Sequence, residues 1–148
     1  MKIDNFFLPE QDILTRLRVG LSGDVLGESI FAIDDMDTAN PVSTTVITPA
    51  VYVAYAGFEA GESAGKGRRQ KVNQRWLVVL VIANSGMLST LKVRDKAGPL
   101  LLKIMGLLGG WSPDTTKYNP FEQESPPLPT YTGSYSEFPL VFKTEIVV

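Results

Sequence analysis

One stretch limits the possible folds more than any other. Residues 72–84 read Val-Asn-Gln-Arg-Trp-Leu-Val-Val-Leu-Val-Ile-Ala-Asn, and every side chain from Trp76 to Ala83 is apolar. Most are β-branched or bulky, which suits a pleated backbone. The run is too short to cross a bilayer as a helix, which needs about 20 residues. A strand here would be apolar on both faces, so the stretch predicts a central strand covered on both sides. Polar Asn73, Gln74 and Arg75 precede the apolar run, and Asn84-Ser85-Gly86 follows it as a turn signal. The rest of the chain is expected to pair with this strand or pack on it.

The flanking segments carry periods that fit that role. Residues 49–56 read as a strand ended by Gly57, and 57–71 as a polar loop leading into the central strand. Together they predict an antiparallel hairpin with a long, mobile tip. In 138–148, Phe138, Leu140, Phe142, Ile146 and Val148 share one face, with Lys143 and Glu145 on the other. Pro139 argues for the start of that strand or for an edge. A helix is expected over 9–21, with Pro9 at its first position and Ile13, Leu14, Leu17 and Leu21 on one face. Asp12 and Arg16 would pair on its other side, and Gly20, Ser22 and Gly23 mark its end. A second helix is expected over 88–108, where Val93, Ala97, Leu100, Leu101, Ile104, Leu107 and Leu108 form a broad stripe. Pro99 either begins or kinks it, and Gly109-Gly110 stops it. Ile30 to Ile33 admits either a short strand or part of a short helix. The expectation is one domain over 1–148 of the α+β class. Its sheet would be mostly antiparallel, with a long β-hairpin, packed against two main α-helices.

Composition removes several chemistries. The chain has 148 residues with 0 Cys and 0 His. That excludes disulfides, thiolate nucleophiles, Cys-type zinc sites and the Ser-His-Asp triad. A net charge of −2 argues against a general polyanion binder. The start of the chain does not read as a signal peptide, and no window is long enough for a transmembrane helix. An acid–base enzyme using Glu59, Glu62 or Glu137 would need paired carboxylates, and no spacing suggests them. Asp34, Asp35 and Asp37 invite a calcium reading, but Ala39 and Asn40 stand where an EF-hand needs a ligand and a glycine. No catalytic, cofactor or metal site is expected.

Two segments remain as candidates for contact with other molecules. The stretch 61–71 looks at first like a phosphate-binding loop, yet its glycine spacing is one residue short, and Gly67 replaces the magnesium-binding Ser or Thr. A strand follows it, not a helix. What remains is a glycine-rich arm carrying Lys66, Arg68, Arg69 and Lys71, with Arg75 just beyond. It is either a solvated loop or an electrostatic contact with an acidic partner surface or nucleic acid. The balanced net charge disfavours a nucleic-acid module. The second segment, 111–137, contains Pro113, Pro120, Pro126, Pro127 and Pro129 among Trp111, Tyr118, Phe121, Tyr131 and Tyr135. Its aromatic side chains either pin a long loop to the domain or form an interface.

Four blocks, TPAVYVAYAGF, VNQRWLVVLVIAN, AGPLLLKIMGLLGGW and YSEFPLVFKTEIVV, carry a family resemblance. In order and spacing they are similar to the tail terminator proteins of Mu-like tailed bacteriophages and prophages, from about residue 47 to the C-terminus. The resemblance implies the lambda-type tail terminator fold, an antiparallel sheet with helices against it. It implies a virion protein without catalysis or cofactor, assembled in the bacterial host cytoplasm. It further implies a homohexameric ring on the head-proximal end of the tail tube, which stops tube growth. The implied partners are the protein itself, the tail tube protein and a neck or head-completion protein. DNA would pass through the ring lumen without sequence-specific binding, and no membrane is involved. Another neck or tail-completion protein of related fold is the alternative. In either setting the basic arm is expected to reach an axial protein neighbour.

Overall fold

A computed structural model describes residues 3–33, 47–84 and 90–148. Asp34, Asp35, Asp37, Ser85 and Gly86 lie outside the described residues, so the acidic trio and the turn signal are not placed. The elements are α1 (Leu8–Gly20), β1 (Ile30–Ala32), β2 (Ala50–Ala64), β3 (Arg69–Ala83), α2 (Thr90–Leu108), β4 (Glu122–Glu124), β5 (Thr130–Tyr131) and β6 (Tyr135–Val147). The sheet order is β1-β2-β3-β6-β4, and β5 also pairs with β6. The β1–β2 pair is parallel and the other pairs are antiparallel. This is the α+β class expected, with the apolar run of β3 between β2 and β6.

The run is apolar on both faces because both faces are covered. On one, α1 and α2 lay Leu17, Leu21, Ile104 and Leu108 onto Val51, Val53, Trp76, Val78, Leu80, Phe138, Leu140 and Phe142. On the other, Tyr52, Val79 and Val81 pack with Phe31, Ile33 and Tyr135. Fully burying one such aliphatic or aromatic side chain stabilises the fold by about 1.5–3 kcal/mol. The two helices approach closely at Gly20, where a Cβ would overlap the Leu107 side chain.

Some local expectations are corrected. Asp12 and Arg16 form no ion pair; the Arg16 Nε–H donates to the Leu107 carbonyl, and its guanidinium lies 4.9 Å from the Trp111 ring centre. Of the two roles offered for Pro99, only the start of the helix is excluded: α2 runs from Thr90 through Pro99, which forgoes one helical donor. The arm is not a loop over 57–71. β2 continues to Ala64 and β3 begins at Arg69, leaving only a turn at 65–68. Gly57, at φ 90°, serves a register shift between Tyr55 and Phe58 instead of ending the strand.

The outer side of β6 is divided. Gln70 and Val148 exchange backbone hydrogen bonds of 3.0 and 2.9 Å, so even-numbered residues of β6 face β3 with their backbone groups. Odd-numbered residues face outward, as where the Asn119 N–H donates to the Glu145 carbonyl at 3.1 Å. Pro139 is therefore neither a strand start nor on an edge strand. It sits mid-strand with its missing donor turned outward, between the register of β5 at Glu137 and that of β4 at Val141.

Candidate functional site

The arm is a regular two-stranded ribbon. Gln70 stiffens it, its Nε2–H donating to the Gly61 carbonyl at 2.7 Å and to the Lys71 carbonyl at 2.9 Å. The turn needs three consecutive positive φ values, 62° at Gly65, 58° at Lys66 and 86° at Gly67, and the two glycines adopt theirs without strain. Lys71 lies 3.7 Å from Glu62, whereas Lys66, Arg68 and Arg69 are exposed and make no ion pair among the described residues. Three cations thus sit within four residues at a tip that cannot bury them.

Arg75 is engaged inside the protomer. Its Nε lies 2.6 Å from Glu124 and its Nη2 2.8 Å from Glu59, so one guanidinium links β2, β3 and β4 across the sheet. The hydrogen bond from Arg75 holds the Glu59 carboxyl below the usual carboxylate range. Lys143 adds a looser pair with Glu122 at 3.7 Å.

The aromatic candidates of 111–137 divide. Tyr118 and Phe121 are each 1% exposed, so they are core residues and not contact residues, a correction to the interface expectation. Trp111 is half-buried and stacks on Phe121 at 5.8 Å between ring centres. Tyr131 is exposed on β5 and meets the edge of Phe138, while Tyr135 is half-buried at the start of β6. The segment is less irregular than expected because β4 and β5 tie it to the outer side of β6.

Two surface features were not anticipated. Phe6, Phe7, Tyr55 and Phe58 form edge-to-face contacts with ring centres 5.2–6.0 Å apart at the base of the arm. Phe7 is 51% and Phe58 56% exposed, which makes an apolar patch at the β2 edge. The adjacent Phe6 and Phe7, ahead of the helix, were its only signal in the sequence. On the opposite edge, Leu128 stands 85% exposed between Pro127 and Pro129.

Of the carboxylates considered for catalysis, Glu59 and Glu137 lie far apart, and Glu62 sits 3.7 Å from Lys71. Glu59 is held by Arg75, and Glu137 accepts a hydrogen bond from the Tyr52 hydroxyl at 3.0 Å. Burial and the neighbouring Glu137 push the Tyr52 phenol up. Glu59 lies opposite Asn73 and Glu137 opposite Val81, eight positions apart along β3. At about 3.3 Å per residue that is roughly 26 Å. Among the described residues no group of His, Cys, Asp and Glu could hold a metal ion, and no helix is long and apolar enough to cross a membrane.

The arrangement offers contact surfaces: a cationic tip, an aromatic patch, and an edge carrying a proline-flanked leucine. Comparison with curated proteins gives no match. The profile of the family described as "Phage tail terminator protein" matches residues 30–148, from β1 through the last strand, and so reaches further toward the N-terminus than the four blocks did. Because that match takes in most of the chain, including the whole sheet, the protein belongs to the phage tail terminator family.

Proposed function

We propose that the protein is a structural virion component that closes as a homohexameric ring on the head-proximal end of a tail tube. The ring stops tube polymerisation and offers the surface to which the head or neck is joined. The observation that carries this reading is the family match over residues 30–148. The four blocks favour a Mu-like phage or prophage as the setting. The protein acts as a single domain, assembles in the host cytoplasm and ends in the virion tail. Its partners are its own copies, the tube protein and the neck or head-completion protein, while DNA passes through the lumen unread.

A physical mechanism supports it. A ring closes through heterologous contacts, in which one patch meets a different patch on the neighbour. A terminator matches the tube on one face and withholds a further tube-type contact on the other. The contact elements proposed are the cationic arm, with Lys66, Arg68, Arg69 and Lys71 meeting an acidic protein surface, and the exposed Tyr131 beside Tyr135. Arg75 and Trp111 hold the surrounding frame. Electron microscopy of particles made without this gene tests the reading. Overlong or headless tubes are expected, together with sixfold density for the protein in complete particles. Tails of normal length joined to heads in its absence would refute it.

A further inference from the structure

We propose that the two outer edges of the sheet are the two halves of the seam between neighbouring copies of this chain. One half is the free edge of β2, with Phe7 and Phe58 at its base and the basic turn at its tip. The other is β4 together with the segment around Leu128. The proposal rests on the ring reading above and names the second copy, not an axial protein, as the acidic partner of the arm.

Among the described residues both edges are open. β1 pairs with β2 only at Val51, Tyr52 and Val53, so the side of 54–64 turned away from β3 has no strand on it among the described residues. β4 pairs with β6 on one side and ends the sheet on the other. Such edges present unpaired backbone groups that a neighbour can use. Register shifts at 55–58 and 60–63 twist the β2 edge and limit backbone pairing to short runs, so side chains carry most of the contact.

The two edges are complementary in both apolar and charged character. Phe7 and Phe58 form an exposed aromatic patch, and proline-rich segments dock well on aromatic surfaces. The opposite edge supplies such a segment, 125–129, with Leu128 85% exposed. The cations Lys66, Arg68 and Arg69, unpaired among the described residues, have their counterpart in Glu122, whose side chain is 73% exposed and only loosely paired.

Order and spacing agree as well. Phe58 lies opposite Gln74, and the turn begins beside Arg69, five positions along β3. At about 3.3 Å per residue, patch and cations are roughly 16 Å apart. On the other edge Glu122 lies opposite Lys143, and the Leu128 segment crosses between the registers of Val141 and Glu137, near position 139. That separation is roughly 13 Å by the same rise. Because β3 and β6 are antiparallel, apolar-to-charged runs the same way in space on both edges. A rotated but unflipped copy therefore sets patch against leucine and cation against carboxylate together, with one stagger. It also sets β4 antiparallel to β2. Joining two β2 edges by a two-fold axis would leave Leu128 and Glu122 uncovered in both copies. The match is thus heterologous, as ring closure requires.

The chain has 0 Cys, so thiols can be placed at will. Phe58→Cys and Leu128→Cys variants would be produced singly, mixed, and combined in one chain, in tail-producing cells lacking the native gene. A bis-maleimide linker would then be applied, with folding checked by circular dichroism. Coupled dimers from the mixture, a ladder from the combined variant and no coupling from either single variant are expected. Arg68→Glu with Arg69→Glu should lower the yield severalfold, and Glu122→Lys in the partner should restore it. Comparable coupling of Phe58→Cys alone, or rings seen by electron microscopy without a ladder, would overturn the seam. A ladder without closed rings would keep the seam and refute the ring. Neither rings nor coupling would refute both.

Discussion

Gln74 offers a sharp test of how the central strand is held. It is fully buried, yet polar on both ends of its amide. The Nε2–H donates to the Phe6 carbonyl at 2.7 Å, and Oε1 accepts from the Trp76 indole N–H at 2.9 Å. Gln74→Met keeps the volume and removes both bonds. Trp76 is 0% exposed, so its N–H finds no water, and an unsatisfied buried donor costs about 1–3 kcal/mol. Phe6 is only half-buried, so its carbonyl recovers part of its loss in solvent. The sum is about 2–4 kcal/mol, a large share of a total that is typically about 5–15 kcal/mol. With a urea slope of about 2 kcal/mol/M, the midpoint should fall by about 1–2 M at unchanged slope. Trp76→Phe removes the orphaned donor, so the double variant should cost less than the sum of the singles by about 1 kcal/mol or more. Urea unfolding followed by circular dichroism measures all four proteins. A loss below about 0.5 kcal/mol for Gln74→Met, or strict additivity in the cycle, would refute the account.

Tyr118→Phe removes the hydroxyl that donates to the Asn5 carbonyl at 3.1 Å; a loss of about 0.5–1.5 kcal/mol is expected in the same assay. Asp12 has its carboxyl pushed up by burial and then by Asp114, so the folded state holds that proton more tightly than the unfolded one. Its favourable contribution is complete below the unfolded value of 3.8 and is lost as pH rises through the raised folded value. Asp12→Asn should therefore stabilise the protein near neutral pH and become neutral in effect in acid, as melting across pH would read. Arg68→Glu with Arg69→Glu should change stability by less than about 0.5 kcal/mol, because both side chains are exposed. The same double change should weaken assembly of infectious particles in complementation, and the arm's contact should weaken with added salt; normal titre and tail length would mark the arm as a solvated ribbon without a partner.

The sheet was legible where burial forces a period. β3 is apolar on both faces because both are covered, and β6 alternates because one face packs under the helices. The arm was misread because a ribbon exposed on both faces has no apolar alternation, and Gly57, Gly61 and Gly65 look like stops. Gly57 and Gly65 instead serve a register shift and a turn. β4, only three residues long between Pro120 and Pro126, and β5, only two residues long directly after Pro129, were hidden by those prolines. Among the contact candidates, the cationic tip could be located from sequence because charge density needs no partner to be seen. Tyr118 and Phe121 could not be assigned to core or surface, since proline-rich spacing carries no period that says which way an aromatic ring faces. Phe7 and Phe58 lie 51 positions apart in the chain, so their patch exists only after the N-terminal segment docks on the hairpin.

The position of Pro139 decides something about the far edge of the molecule. A continuous outer ladder along β6 would need a donor at that residue, and the ring nitrogen of proline has none. Chain that could otherwise zip down the whole strand is held off at its midpoint, which splits it into the separate pieces at Glu122–Glu124 and Thr130–Tyr131. The residues between them have no ladder to join and stand away from the body, carrying Leu128 outward. One ring nitrogen thus works as a spacer that keeps a knob presented. Pro139→Val should let 125–129 settle along β6, seen as new amide protection in hydrogen exchange at Ser125 and Leu128. Unchanged exchange at those amides would show that Pro126, Pro127 and Pro129 hold the segment out by themselves.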